Sequence, residues 1–184
     1  MLLRAAKLED VPALQELICE SVWALQREDY TDEQISGALG TIYGTDQRMI
    51  LDGTFFVVEN ADGAIVACGG WSRRKTAFGS DSSPVKDDSF GDPGVDPARI
   101  RGFFVHPAWA RQGLGTRILK ACESAAVEAG FTRAELVATV TGVALYERHG
   151  YAVTRRYEFD LPNGASYVAV GMAKALVASS AVSG

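Results

Sequence analysis

The alternation of apolar segments in this chain predicts an α+β domain: a mixed central β-sheet of about six to seven strands flanked by helices on both faces. Three observations carry that expectation. Runs with a two-residue period and runs with a period near 3.6 follow one another in the order β-α-α-β-β-loop-β-α-β-α-β-β. The 184 residues are 47% hydrophobic, enough for one sizeable core. No internal repeat and no second apolar unit is present, so one domain is expected over 1–173, with a loop insertion at about 74–98. A short tail, 174–184, is rich in Ala and Ser and is expected to fray.

Taken in order, Leu2 to Ala5 reads as a first strand. Glu9-Asp10 opens a helix whose apolar stripe is Val11, Leu14, Leu17, Ile18 and Val22, with Pro12 in the first turn, where a missing N–H costs nothing. Thr31 and Gln34 have the spacing of a capping box ahead of Ile35, Leu39 and Ile42. Thr54 to Glu59 and Ile65 to Trp71 form a hairpin around Asn60-Ala61-Asp62-Gly63, and Gly69-Gly70 predicts a bulge in its second arm. Arg73 to Arg99 is loop composition, rich in Gly, Ser, Asp and Pro, and is expected to be either a functional lid or a disordered insertion. Ile100 to Val105 reads as a buried strand stopped by His106-Pro107. Leu114, Ile118, Leu119, Cys122 and Ala126 recur at helical spacing up to Gly130. Ala134 to Thr139 is a further strand, Val143 to Tyr146 a short helix ended by His149-Gly150, and Arg155 to Leu161 with Ser166 to Met172 a closing hairpin.

The net charge of −5 argues against a general nucleic-acid binder, which needs a clustered basic face. Arg73-Arg74-Lys75 is one short basic cluster, read as part of a solvated loop. Cys19, Cys68 and Cys122 lie far apart in apolar segments and read as buried, reduced thiols rather than nucleophiles. His106 and His149 do not make a ligand spacing, so no metal is expected. The N-terminus lacks a signal-like apolar region and no stretch has the length of a membrane span; a soluble, cytoplasmic protein without a membrane partner is expected.

The segment with most chemical content is Ala110-Arg111-Gln112-Gly113-Leu114-Gly115-Thr116, set between a strand and a helix. Two glycines at a helix start let a ligand approach the backbone, and the orphan N–H groups of the first turn favour an anion. The segment reads as a pyrophosphate cradle or, equally, as an ordinary glycine turn. About thirty residues further on, Leu145-Tyr146-Glu147-Arg148-His149-Gly150-Tyr151 carries a tyrosine on a short helix that ends in Gly-aromatic.

With both motifs in this order, the chain resembles the GCN5-related N-acetyltransferase (GNAT) superfamily over roughly Leu2 to Met172. That family's loop is usually Arg/Gln-x-x-Gly-x-Gly/Ala; here Ala110 stands at the first position, with Arg111 and Gln112 beside it. The resemblance implies acetyl-CoA as acyl donor, its pyrophosphate held by Arg111, Gln112, Gly113, Leu114, Gly115 and Thr116. It implies that the backbone of Phe104 and Val105 contacts the pantetheine arm at a bulge, with an N–H polarising the acetyl carbonyl. Tyr146 falls where many members protonate the departing thiolate, and it also reads as an aromatic anchor for its helix. The asparagine that often precedes this helix is absent, with Thr139 and Thr141 nearby.

The implied reaction is transfer of an acetyl group to a primary amine by direct attack in a ternary complex, with no covalent enzyme species. The strand before the cradle carries no carboxylate for a general base; Glu28, Asp29, Tyr30 and Asp46 are candidates by position alone. A small-molecule amine is the expected acceptor, with Tyr30, Tyr43 and Trp71 as substrate-binding residues and Asp81, Asp87 and Asp88 as an acidic lining suited to a cation. A protein amine is the alternative acceptor, and a non-catalytic acyl-CoA sensor the alternative function. The resemblance also implies a homodimer.

Overall fold

The computed structural model describes residues 1–83 and 86–177. Seven strands form one sheet in the order β1-β2-β3-β4-β5-β7-β6, with β1 Leu2–Ala5, β2 Phe55–Glu59, β3 Ile65–Ser72, β4 Ala98–Val105, β5 Arg133–Thr139, β6 Ala152–Asp160 and β7 Ser166–Ala175. Neighbours are antiparallel except β4 and β5, which run parallel because α4 (Leu114–Glu128) crosses between them.

Both faces are covered, and the two-residue period of the strands decides which side chain goes where. Val58, Ile100, Leu136 and Met172 face α4, whose Ile118, Leu119, Cys122 and Ala126 complete one core. Val57, Cys68, Phe104 and Tyr167 face the other way, against Leu14, Ile18 and Val22 of α1 (Val11–Leu25) and Ile35 of α2 (Asp32–Ala38). The expected capping box is present: Gln34 N–H donates to Thr31 Oγ1 at 3.2 Å and Thr31 N–H to Gln34 Oε1 at 3.0 Å. The stripe expected to run through Leu39 and Ile42 stops at Ala38, because Leu39 turns extended and Gly40 takes φ +84°.

Several boundaries differ from expectation. α3 (Gln47–Leu51) was hidden in a reading by period, since five residues make less than two turns; its start is fixed by Asp46 Oδ1, which accepts from Arg48 N–H. β6 starts at Ala152 rather than Arg155, and its first five residues are exposed. An edge strand wet on both faces has no apolar alternation to read. β7 runs on to Ala175, and buried Leu176 donates its N–H to Thr132 O at 2.8 Å, so the folded unit extends past 173. The tail beyond 177 lies outside the described residues.

The described part of the insertion is folded back on itself, contrary to the disordered alternative. Lys75 N–H bonds Ser89 O (3.0 Å), Thr76 N–H bonds Asp87 O (2.9 Å), and Arg74 holds Asp52 through Nε and Nη2 while lying over the Phe90 ring. Arg74 of the basic cluster therefore anchors the insertion, while Arg73 and Lys75 are exposed, as the solvated-loop reading expects. Its tip is tied to the segment after α2 by Ser80 N–H to Thr41 O and Asp81 N–H to Thr45 O, each 2.9 Å.

Candidate active site

Pairing of β4 with β5 ends at Ile100 opposite Leu136, although β4 continues to Val105 and β5 to Thr139. Two features turn β4 away. The β3–β4 register shifts between Cys68 and Gly70, as the glycine pair predicts, and Gly102 takes φ +70°. Between the diverging strands lies a cavity of about 180 Å³, lined by Gly102 to Val105 on one side and Val137 to Thr139 on the other.

At one end the cavity meets the start of α4. No backbone N–H from Arg111 through Thr116 donates to a protein acceptor among the described residues. Arg111 (φ 63°) and Gly113 (φ +81°) bend the chain so that these donors precede the helix as an open row, and no side chain caps it. Nothing lies within 4 Å of where a Cβ on Gly113 would stand. Gly115 is different: it lines the cavity, and a Cβ there would sit 3.2 Å from Leu145. Of the side chains expected in this loop, Leu114 is buried in the core, Gln112 Nε2 donates to Ala108 O (3.3 Å), and Thr116 Oγ1 bonds His149 Nε2 at 3.0 Å. Their contribution to the loop is therefore backbone.

Tyr146, on α5 (Val143–Arg148), lines the same cavity, edge-on to Phe103 and Tyr151 at 6.0 and 5.8 Å between centroids. Burial pushes its phenol well above the ordinary value of 10.0, so it is protonated at neutral pH. Phe104 and Val105 both line the cavity, but Val105 N–H points at Ser21 Oγ (3.3 Å) from α1 and so is not a free donor. Thr139 Oγ1 accepts from Gly142 N–H (3.0 Å) and Thr141 Oγ1 donates to Asp29 (2.6 Å), so both hydroxyls near the missing asparagine are engaged.

The far end is built by Tyr43, Asp46, Arg101 and the insertion residues Ala77 to Gly79. Tyr43 hydroxyl donates to Gln26 Oε1 and lies 2.7 Å from the Tyr167 hydroxyl. Phe78 packs on Phe159 and Tyr157, at 4.8 and 6.5 Å between centroids, and closes this end against the C-terminal hairpin. Asp46 is buried, with Arg101 Nη2 at 3.0 Å, Arg48 Nε at 3.6 Å and Lys86 Nζ at 3.8 Å.

Of the expected substrate residues, only Tyr43 reaches the cavity. Tyr30 is a buried strut: its hydroxyl donates to Val168 O and accepts from Val140 N–H, both at 2.8 Å. Trp71 lies in the core beneath α4, edge-on to Phe131. The two-residue period of the strand assigns it there, because Trp71 faces opposite to Gly70. The acidic lining is absent too: Asp81 accepts from Gln47 N–H, Asp87 bonds Ser89, and Asp88 pairs with Arg48. Cys68 and Cys122 are buried as expected, whereas Cys19 is exposed. Arg101, Gln26 and Tyr167 were missed; a buried arginine mid-strand, Ile100-Arg101-Gly102, was the available signal.

The family model described as an acetyltransferase (GNAT) domain matches residues 51–153, more than half of the chain. The chain belongs to the GNAT family. The matched span contains the diverging strands, the glycine loop and Tyr146. Solved GNAT structures share the fold over nearly their whole length. They include a GCN5-related N-acetyltransferase from Rhodopseudomonas palustris, 20% identical over 95% of each chain with a TM-score of 0.69. PaiA N-acetyltransferase from Thermoplasma acidophilum, in complex with coenzyme A, is 14% identical over 95% of this chain and 98% of its own, with a TM-score of 0.64. The ribosomal-protein-S18-alanine N-acetyltransferase from Escherichia coli is 16% identical over 98% and 97%, with a TM-score of 0.59. No curated protein sequence matches the chain. Among the described residues, no group of His, Cys, Asp and Glu is placed to hold a metal, and no helix is long and apolar enough to cross a membrane.

Proposed function

We propose that this GNAT protein transfers an acetyl group from acetyl-CoA to the primary amine of a small molecule, by direct attack in a ternary complex. The observation that carries this reading is the meeting of three features at one cavity: the parted strands β4 and β5, the open amide row of Arg111 to Thr116, and the buried phenol of Tyr146. The residues fit the donor. A pyrophosphate needs several N–H groups converging without a protein partner, and the clear space over Gly113 lets it approach them. Bound acetyl-CoA supplies the activated acyl group.

The chain's own part is positioning and proton handling. In this reading Tyr146, which lines the cavity and keeps a proton on its hydroxyl at neutral pH, gives that proton to the sulfur that leaves when the carbon–sulfur bond breaks. Asp46 is the carboxylate among the described lining residues, and Arg101 already holds it at 3.0 Å. The proton lost by the amine therefore leaves through water or before binding, rather than to a free side-chain carboxylate. Closure of the acceptor end by Phe78 against Phe159 supports a small acceptor over a polypeptide end, although a neighbour of this fold is named for acetylating a ribosomal protein. A homodimer belongs to the same reading, and the outer edge of β6, unpaired among the described residues, is a surface available for it.

Free-thiol release from acetyl-CoA, followed against amino acids, polyamines, aminoglycosides and small peptides, tests the proposal alongside calorimetric binding of acetyl-CoA. Amine-dependent thiol release supports the transferase. Tight binding without release over the whole panel favours the sensor, and no binding removes the cradle.

A further inference from the structure

The acceptor end of the cavity holds more buried positive than negative charge. Asp46 is the buried carboxylate there, at 7% side-chain exposure, and it faces two buried cations, Arg101 at 6% and Lys86 at 9%. Arg48 also approaches Asp46, but its charge is matched by Asp88. Lys86 Nζ is sealed from solvent and makes no hydrogen bond among the described residues; its sole ionic neighbour within 4 Å is Asp46, at 3.8 Å. Arg101 Nη2 donates to Gly79 O (2.6 Å) and ion-pairs with Asp46 (3.0 Å), while among the described residues its Nε and Nη1 make no hydrogen bond. Since Arg101 lines the cavity, the uncompensated charge is presented to whatever binds there.

Burying a cation without a full counter-charge is unfavourable, and an anion that arrives with the substrate relieves it. The surplus is one charge, which matches a carboxylate and falls short of a phosphate carrying nearly two. Because Nη2 is already engaged, Nε and Nη1, on either side of the Cδ stem, each offer a carboxylate oxygen one charge-assisted hydrogen bond. We propose that the acceptor is a small molecule bearing a carboxylate as well as its amine, of the amino-acid class, and that Arg101 receives the carboxylate with Lys86 supporting it from the insertion. This rests on the transferase reading for the amine, but not for the anion site. It replaces the cationic acceptor expected from sequence, whose acidic lining is absent.

The test uses the intact protein and matched compounds: free amino acids, their carboxamides and the corresponding decarboxylated amines. Thiol release is followed with each, and the thermal midpoint is measured with and without each. The native protein is expected to favour the acids, and Arg101→Gln to raise their KM about tenfold or more while acetyl-CoA binding is unchanged. Lys86→Met, which leaves the Arg101 pairing intact, is expected to move KM in the same direction by a smaller factor. Equal use of acids and carboxamides, or preference for polyamines, overturns the carboxylate site while leaving the transferase standing. If acetyl-CoA binds but no compound is acetylated, or if acetyl-CoA does not bind, the thermal midpoint decides. A rise with acids that is absent with carboxamides, and lost in Lys86→Met, upholds the site; no rise with any acid overturns it.

Discussion

Substituting Gly113 by valine separates the backbone's own strain from the ligand's need for it. At φ +81° an L-residue is disfavoured by about 1–2 kcal/mol, and no neighbouring atom adds a clash, because nothing lies within 4 Å of the new Cβ. For a chain of this size that corresponds to a fall in thermal midpoint of roughly 2–8 °C. Gly63, in the β2–β3 turn, is a matched control: its φ is +82° and the space over it is equally clear. Gly63→Val should therefore lose the same stability as Gly113→Val. The two should differ only in donor binding. Disturbing one charge-assisted hydrogen bond to a phosphate costs about 1.5–3 kcal/mol, so acetyl-CoA should bind Gly113→Val roughly 10- to 150-fold more weakly by calorimetry. Equal donor affinity in the two variants, measured below both unfolding transitions, would show that the amide row is an ordinary turn.

Tyr146→Phe should lower kcat about 100-fold with little change in acetyl-CoA affinity, since removing the hydroxyl takes away a proton donor and leaves the ring packing against Phe103 and Tyr151. An unchanged kcat makes Tyr146 an anchor. Asp46→Asn keeps an N-cap for α3 but strips the counter-charge from buried Arg101 and Lys86, and urea unfolding should report a loss of about 3–5 kcal/mol. A loss below about 0.5 kcal/mol means that the cations are solvated in the native state. Asp10 is held below its ordinary 3.8 by the Arg4 guanidinium at 2.7 and 2.9 Å. Its folded value is the lower one, so its stabilising contribution is present above pH 3.8 and is lost as pH falls through the folded value. The stability gap between native and Asp10→Asn, about 1 kcal/mol at pH 7, should close in strong acid; a gap that persists there assigns the effect to capping.

Legibility along the chain followed the strength of local signals. The capping box at Thr31 and Gln34, the hairpin around Asn60–Gly63 and the α4 stripe are each specified within one turn or one strand pair, and each appears where expected. β6 and α3 were misjudged because an edge strand exposed on both faces has no alternation, and a five-residue helix has no period. The glycine loop was legible as a backbone feature, since φ at Gly113 depends on the residue itself.

What the order of residues determined alone was therefore the order of the strands and of every α-helix but α3, the two-sided core and the donor-side motif, all properties of near neighbours or of a period. Tertiary structure decided the acceptor end. Asp46, Lys86 and Arg101 come from three separate segments, and their charge balance exists only once the insertion folds over the mouth of the cavity. Packing elsewhere in the fold drew Tyr30 and Trp71 into structural roles, because which side of a strand or helix a large side chain serves is settled by the register of its neighbours. An ion pair across the fold costs desolvation and gains Coulomb energy in amounts that depend on burial and distance, and neither quantity is written in the sequence.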